Sequence, residues 1–147
     1  MSNLEKPNAE EKARLPVILR PAVESDYPYI VESWLASYRG QAIARDAGRG
    51  YVHDFKWFIR KLIAKSAVLV AADEEEHGVI WGWAATHGET ILYVYVRQDF
   101  RRQGLGRLLV RPFLEQPAIY AARSHVRLNL PAAWRYSFLQ AVRIAAE

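Results

Sequence analysis

Residues Ile91–Val110, ILYVYVRQDFRRQGLGRLLV, join an alternating apolar segment, two adjacent arginines, a Gly-x-Gly and the start of a second apolar period. The alternation predicts a β-strand and the later period predicts a helix, so the glycines lie in the turn between them. A helix N-terminus offers unpaired backbone N–H groups and a partial positive charge, and glycine lets an anion approach the backbone. The stretch therefore predicts a site for a phosphorylated ligand.

The whole chain has the composition of a globular domain. It has 147 residues, of which 51% are hydrophobic and 24% charged, and this length suits one domain with its own core. No apolar run approaches the ~18 residues of a membrane helix, and the polar N-terminus differs from a secretory signal. Because the chain has no cysteine, disulfide and thiolate chemistry are excluded, and we expect a cytoplasmic protein.

The hydrophobic pattern predicts a flexible tail over residues 1–16 and a single domain over 17–147, in the order β-α-α-β-β-β-α-β-α. A strand, a helix and a second strand form a crossover unit, so the strands before Gly104 and after Arg123 are expected to be parallel neighbours. The predicted strands are 17–19, 67–72, 79–87, 90–96 and 124–130, and the predicted helices are 27–38, 53–65, 104–114 and 132–146.

Positive charge is concentrated in the second part of the chain. Residues 1–96 carry 11 Lys and Arg against 13 Asp and Glu, whereas residues 97–147 carry 9 Arg against 3 acidic residues. A positive field that begins at the glycine turn attracts anions such as a polyphosphate cofactor or a nucleic-acid backbone. A solvated basic surface is the simpler alternative.

Two common phosphate-binding motifs do not fit the glycine turn. A Walker-type loop needs a lysine after its last glycine, and none follows Gly106. A Rossmann turn needs a third glycine, but Leu109 stands there, and the residues about twenty positions on are basic where an acidic ribose partner is expected.

The segment Arg101-Arg102-Gln103-Gly104-Leu105-Gly106 resembles the Arg/Gln-x-x-Gly-x-Gly/Ala signature of the GNAT superfamily of acyl-CoA-dependent N-acyltransferases. In that family the signature follows the fourth strand and opens the third helix, as the pattern predicts here. The resemblance covers about residues 17–140 and implies an α/β (α+β) fold, with a mixed, mostly antiparallel sheet flanked by helices. The chain stops where the family's last strands would begin, so a truncated C-terminal end is expected.

The resemblance implies acetyl-CoA as co-substrate. Backbone N–H groups from Arg102 to Arg107 would hold the pyrophosphate, and nearby arginines would add positive charge. In the family the fourth strand carries a bulge, separates from the fifth strand and pairs its backbone with the pantetheine arm. The cofactor-binding residues implied in this way are Tyr95, Val96, Arg101, Arg102, Gln103, Gly104, Leu105, Gly106, Arg107 and Asn129.

Acyl transfer to an amine also needs a proton for the departing thiolate. The family often supplies it from a tyrosine in an Asn-x-x-Ala-x-x-x-Tyr pattern on the helix after the fifth strand, and Asn129, Ala132 and Tyr136 match that spacing. The resemblance therefore implies Tyr136 as the acid. The Leu-Gly-Phe that usually follows is Ser-Phe-Leu at 137–139, so a packed aromatic is the alternative role of Tyr136.

The amine must be neutral to attack, which calls for a base. In the family this is often a carboxylate near the start of the fourth strand, which implies Glu89. His87 is a second candidate because its ordinary pKa lies nearer neutrality. Both residues also suit an ordinary polar turn.

Aromatic residues suggest an acceptor pocket. Trp81 and Trp83 are two apart on a predicted strand and are expected on one face, where Trp34 and Tyr38 of the first helix would oppose them. Core packing is the alternative role, also for Tyr93. The histidines at 53, 77, 87 and 125 lack the spacing of metal ligands, so no metal site is expected.

The sequence therefore favours an N-acetyltransferase that moves acetyl directly from acetyl-CoA to a small-molecule or peptide amine. A non-catalytic accessory or assembly protein of the same fold is the main alternative, with a homodimer or protein partner covering the C-terminal edge. Nucleic-acid binding is a third and less favoured hypothesis, because the sequence has no recognisable recognition helix. No membrane partner is expected.

Overall fold

Alternating apolar segments pair into one sheet that sets the architecture. In the computed structural model, which describes residues 15–39, 51–114, 119–121 and 134–147, this sheet has six strands in the order β1-β2-β3-β4-β5-β6. The strands β1 to β4 pair antiparallel, whereas β5 pairs parallel with β4 and β6 pairs parallel with β5. They span Val17–Pro21 (β1), Ala67–Asp73 (β2), Ile80–His87 (β3), Thr90–Val96 (β4), Ile119–Tyr120 (β5) and Arg135–Tyr136 (β6).

Four α-helices accompany the sheet in the described part of the chain, so the predicted mixed, mostly antiparallel α/β fold is confirmed. They are Tyr27–Arg39 (α1), Tyr51–Lys65 (α2), Leu105–Val110 (α3) and Phe138–Ala146 (α4). The predicted helix 104–114 divides here, since α3 continues as a 3-10 turn over Arg111–Phe113. Pro112 has no N–H to donate, which prevents an α-helical bond at that point.

At the C-terminal end, one prediction falls outside the described residues and another differs from the structure. The parallel neighbour of β4 is Ile119–Tyr120, a two-residue strand without a periodic signal, while the predicted strand 124–130 lies outside the described residues. The predicted last helix begins at Phe138, because Ser137 is extended and its side chain accepts a hydrogen bond from the Gln140 N–H as an N-cap. Of the predicted tail, residues 1–14 lie outside the described residues.

The sheet separates two hydrophobic clusters. On one face, α1, α2 and α4 cover β2 to β4 with residues that include Trp34, Ile59 and Ile144, all fully buried. On the other face, α3 packs Leu105, Leu109 and Val110 against the sheet. Removing such apolar surfaces from water is the main stabilising term of the fold. It also fixes the end of β4 next to the start of α3.

The prediction that Trp81 and Trp83 share a face is wrong. Ala71 pairs with Gly82 and Ala72 pairs with Ile80, so Trp81 is the extra residue of a β-bulge. The bulge breaks the alternation of side chains, and Trp81 packs with the α3 cluster while Trp83 packs with the α1 cluster. The two indoles therefore do not form one pocket wall.

Gly82 sets how closely α3 approaches the sheet. A Cβ at this position would lie 2.6 Å from the backbone oxygen of Tyr95 and 3.4 Å from side-chain atoms of Leu105 and Leu109. Only glycine leaves room for the helix at that distance. The sequence pattern around Trp81 and Trp83 gave no reason to single out this glycine.

Candidate functional site

The turn between β4 and α3 has the geometry of an anion site. After a 3-10 turn at Gln98–Phe100, Gly104 caps the start of α3 with φ of +83°, a conformation that favours glycine. A Cβ at Gly104 would meet nothing within 4 Å, so the space above this backbone is open. Arg102 also has a positive φ, of 67°, which is uncommon for a residue with a side chain.

The backbone N–H groups of the glycine turn have no acceptor among the described residues. Across residues 102–106, none donates a hydrogen bond within the described part of the chain, whereas the Leu108 N–H already donates to the Gly104 oxygen at 3.0 Å. Consecutive unused N–H groups at a helix start attract negative charge. Their number and the open space suit the two linked phosphates of a pyrophosphate.

The arginines implied as phosphate ligands divide into two kinds. The Nε of Arg101 donates to the Val96 oxygen at 2.8 Å, and this side chain is half-buried. Arg102 and Arg107 are exposed and flank the open backbone. Arg101 therefore ties the turn to the end of β4, while the other two provide positive charge at the surface.

Aromatic packing supports the turn from below. The Trp81 and Phe100 rings stack with centroids 3.9 Å apart and planes 8° apart, and the Arg97 guanidinium lies 5.3 Å from the Phe100 ring. The Arg97 N–H donates to the Trp81 oxygen at 2.8 Å. Sequence reasoning missed this support because the bulge that turns Trp81 toward Phe100 leaves no sequence signal.

The strand β4 has the bulge that the resemblance implied. Ala85 pairs with Tyr93 and Thr86 pairs with Ile91, which makes Leu92 the extra residue of a second bulge. Within the described residues, the ladder with β5 pairs Thr90 and Ile91, and β4 itself continues to Val96. The separation from the fifth strand that the resemblance implied falls on residues 122–133, which lie outside the described residues, and stays a prediction.

The residues placed against the cofactor, Tyr95 and Val96, lie at this end of β4. The Val96 side chain is buried on the α3 side, and the Tyr95 side chain lies on the α1 side. There the Tyr95 ring is 6.0 Å from the Trp83 ring and 6.2 Å from the Tyr29 ring. Burial, together with a hydrogen bond to Tyr95, raises the pKa of Tyr29 well above its usual value.

The aromatic residues considered for an acceptor pocket form core in the described part of the chain. Trp34, Trp83 and Tyr93 are almost fully buried, and their ring centroids lie 5.2 to 5.8 Å apart. The Trp83 Nε1 donates to the Ser33 hydroxyl at 2.9 Å. The side chain of Tyr38 lies outside the described residues, so nothing further defines a pocket here.

The candidate bases lie at the opposite end of β4. His87 ends β3 and Glu89 is in the tight turn before Thr90, whereas the glycine turn follows Val96; the rise of a strand separates these ends by about 20 Å. The His87 Nδ1 hydrogen-bonds the Lys65 oxygen at 2.8 Å, and its Nε2 lies 3.8 Å from Glu147. This histidine therefore connects β3 to the ends of α2 and α4.

The candidate acid Tyr136 lies on β6 and not on a helix. Its side chain is 39% exposed at the edge of the sheet, and its ring is 5.5 Å from the Tyr120 ring of β5. The register from Ile91 through Tyr120 to Tyr136 places it level with the start of β4, two strands away. Asn129, implied as a cofactor contact, lies outside the described residues. Among the described residues, no three His, Asp or Glu side chains are placed to bind a metal ion.

A comparison with protein-family models shows to which family the chain belongs. Residues 64–138 match the family model of the acetyltransferase (GNAT) domain, and this match contains β2 to β6 and the glycine turn. The chain belongs to the GNAT family. The glycine turn and the bulged β4 are thus the features of a GNAT domain.

One solved structure supports the same fold, and two others are more distantly similar. The apo form of YjaB from Escherichia coli has a TM-score of 0.52 and 20% identity over 69% of this chain and 66% of its own. A GCN5-related N-acetyltransferase from Rhodopseudomonas palustris has a TM-score of 0.49 and 21% identity over 69% of this chain and 65% of its own. yncA from Salmonella typhimurium, solved with acetyl-CoA, has a TM-score of 0.44 and 26% identity over 67% of this chain and 61% of its own.

The GNAT chain therefore spans slightly less than two thirds of the length of each of these proteins. A search of curated proteins finds no match. Within the described residues, no helix has both the length and the apolar character needed to cross a bilayer.

Proposed function

We propose that this GNAT domain binds acetyl-CoA and transfers its acetyl group directly to an amine. The observation that carries the proposal is the run of N–H groups at residues 102–106, which donate to nothing within the described part of the chain, next to an open Gly104. A pyrophosphate there would accept these hydrogen bonds at the start of α3, with Arg102 and Arg107 beside it. The pantetheine arm would then follow β4 from Val96 toward the bulge at Leu92.

The chemistry assigned to the site is direct aminolysis of a thioester. The neutral amine attacks the acetyl carbonyl, a C–N bond forms, and the C–S bond breaks to release the CoA thiolate. The nitrogen loses a proton to a base and the thiolate gains one from an acid. In this proposal Glu89 or His87 is the base and Tyr136 is the acid. The proposed acceptor is a small-molecule or peptide amine. The proposed location of the enzyme is the cytoplasm.

Calorimetric titration with acetyl-CoA tests the proposal. The wild-type chain is expected to bind with micromolar affinity, and Gly104→Glu is expected to abolish binding because it adds a side chain and a negative charge at the phosphate position. Gly78→Glu is the matched control, since Gly78 lies in an exposed turn with nothing within 4 Å of a Cβ. No heat with high-micromolar acetyl-CoA, or equal affinity in Gly104→Glu, contradicts the proposal.

A second candidate is a non-catalytic GNAT protein that acts as an accessory or assembly component. The placement of the candidate residues favours it, because Tyr136 lies on an exposed edge strand and His87 is engaged by Lys65 and Glu147. The sheet edge at β6 and the exposed side chains of Leu139 and Val142 on α4 would form the contact with a second copy or another protein. Release of free CoA thiol with any member of an amine library separates the two candidates in favour of the enzyme.

A further inference from the structure

Helix α2 presents an exposed tryptophan among cationic side chains. Trp57 is 59% exposed, the largest exposed fraction among the large apolar residues of the described chain. The Lys61 Nζ lies 5.2 Å from its ring centroid, a cation–π contact that holds the indole against the helix surface. Tryptophan at a protein surface often provides the central contact of an interface.

Beside Trp57, helices α1 and α2 enclose a groove with a volume of about 440 Å³. The helices run antiparallel, because Tyr27 at the start of α1 lies opposite Ile63 and Ala64 at the end of α2. Apolar side chains form most of the floor, and charged side chains stand on the rim. The lining residues are Tyr27, Pro28, Val31, Glu32, Lys56, Arg60, Ile63 and Ala64.

The charge of this rim is predominantly positive. Lys56 is paired with Glu32 at 3.1 Å, but neither Arg60 nor Lys61 has an ion-pair partner within the described residues. Helix α2 as a whole carries four Lys and Arg residues against Asp54. Arg60, which lines the groove, and Lys61, which lies over Trp57, are therefore two cations without a carboxylate partner among the described residues.

We propose that the α1–α2 groove and Trp57 form a docking site for an acidic amphipathic helix of a partner protein. The apolar side of such a helix would fill the groove and cover Trp57, and its carboxylates would pair with Arg60 and Lys61. The charge pattern thus favours a helix with acids on one side and aliphatic residues on the other.

A concave shape distinguishes this site from a membrane-binding surface. The apolar floor lies between two helices and below the charged rim, where a flat bilayer cannot reach it. The site is also separate from the proposed cofactor site, because α1 and α2 cover the sheet face opposite α3. Docking of a partner therefore goes beyond acetyl transfer and does not depend on it.

Fluorescence anisotropy with a labelled 15-residue helical peptide tests the proposal. The peptide carries Glu at i, i+4 positions and Leu on the adjacent face, and the control peptide carries Gln in place of Glu. We expect the Glu peptide to bind at least tenfold more tightly than the Gln peptide. Trp57→Ala should weaken binding roughly tenfold, and the double variant Arg60→Glu with Lys61→Glu should abolish it.

Two matched controls lie on another helix. Leu139→Ala removes an apolar side chain of similar exposure from α4, and Arg143→Glu reverses an exposed charge there. Both are expected to bind the peptide as the wild type does, and circular dichroism of every variant should be unchanged. Equal affinity for Glu and Gln peptides, no binding at millimolar peptide, or full affinity in Trp57→Ala overturns the proposal. Binding to phosphatidylserine vesicles that the peptide does not compete with also overturns it.

Discussion

At the scale of single residues, the Arg20–Asp26 pair joins three parts of the chain. The Arg20 guanidinium donates to both Asp26 oxygens at 2.6 and 3.0 Å and to the His77 backbone oxygen at 2.8 Å. The Asp26 carboxylate, 4% exposed, also accepts from the Val23 N–H. The hydrogen bond with Arg20, assisted by that N–H, holds the pKa of Asp26 below its usual value.

Replacing Asp26 by Asn should lower the free energy of unfolding at pH 7 by about 2 kcal/mol, because the partly buried Arg20 guanidinium loses its charged partner. A lowered pKa in the folded state means that this contribution is complete above the unfolded pKa of about 3.9. It disappears as the pH falls through the lower folded pKa. Urea unfolding from pH 7 to pH 2 should show the two proteins converging in acid.

The control for this change is Glu32→Gln, whose ion pair with Lys56 is largely exposed. It should alter stability by less than about 0.5 kcal/mol at any pH. A constant difference between wild type and Asp26→Asn down to pH 2 would contradict the assignment.

At the scale of elements, the glycine turn depends on contacts from β3 and β4. The Trp81–Phe100 stack and the bond from Arg101 to Val96 hold the chain between β4 and α3. Neither contact touches the open N–H groups at 102–106. They determine where those groups point, and pre-organised donors bind an anion with less loss of entropy than mobile donors.

Arg101→Lys keeps the charge at the turn but loses the Nε that donates to Val96. We expect acetyl-CoA affinity to fall roughly tenfold, the equivalent of one hydrogen bond, as measured by calorimetry. Arg111→Lys, an equally conservative change at an exposed position after α3, should leave the affinity unchanged. If Arg101→Lys binds as tightly as wild type, Arg101 does not position the turn.

Gly82→Ala tests the packing of α3 on the sheet. Its Cβ would lie 2.6 Å from the Tyr95 backbone oxygen, so β4 or β3 must shift, and overpacking of this kind costs about 1–3 kcal/mol. Chemical denaturation should show the loss, and Gly78→Ala, in open space, should show less than about 0.5 kcal/mol. Unchanged stability of Gly82→Ala would mean that the strands adjust freely.

At the scale of the whole molecule, positive charge is unevenly distributed along the sequence, and the two faces of the sheet carry different helices. The positive excess lies in residues 97–147, which begin at the glycine turn and include α3. The opposite face carries α1 and α2 with the groove and Trp57. Anion binding and partner docking are thus assigned to different faces of one sheet.

Acetyl-CoA affinity should decrease with ionic strength because the cofactor is a polyanion. Raising NaCl from 50 to 500 mM shortens the screening length from about 14 to about 4 Å, and we expect at least fivefold weaker binding. The double variant Arg102→Gln with Arg107→Gln should bind more weakly at low salt and show a shallower salt dependence. An equal salt slope in both proteins would exclude these arginines as phosphate contacts.

Individual elements show where prediction from sequence succeeds and fails. Helix α1 and strands β1 to β4 followed from apolar period and flanking turn residues, since each buries one clear face. The two-residue strands β5 and β6 have no period, and their pairing depends on contacts distant in sequence. Trp81 was assigned to the wrong face because a bulge shifts the alternation by one residue, and the candidate catalytic residues remain predictions.

The sequence by itself determined the order of the main elements and the glycine turn, because apolar period, glycine and charge act over a few neighbouring residues. Only the tertiary structure decided which turn N–H groups stay open, that Arg101 ties the turn to Val96, and that Gly82 admits α3. The tertiary structure also shows that Tyr136 lies on the edge strand β6 and not on the predicted helix. These features arise from contacts between segments that are distant in the chain, so the local sequence pattern of Ile91–Val110 does not predict them.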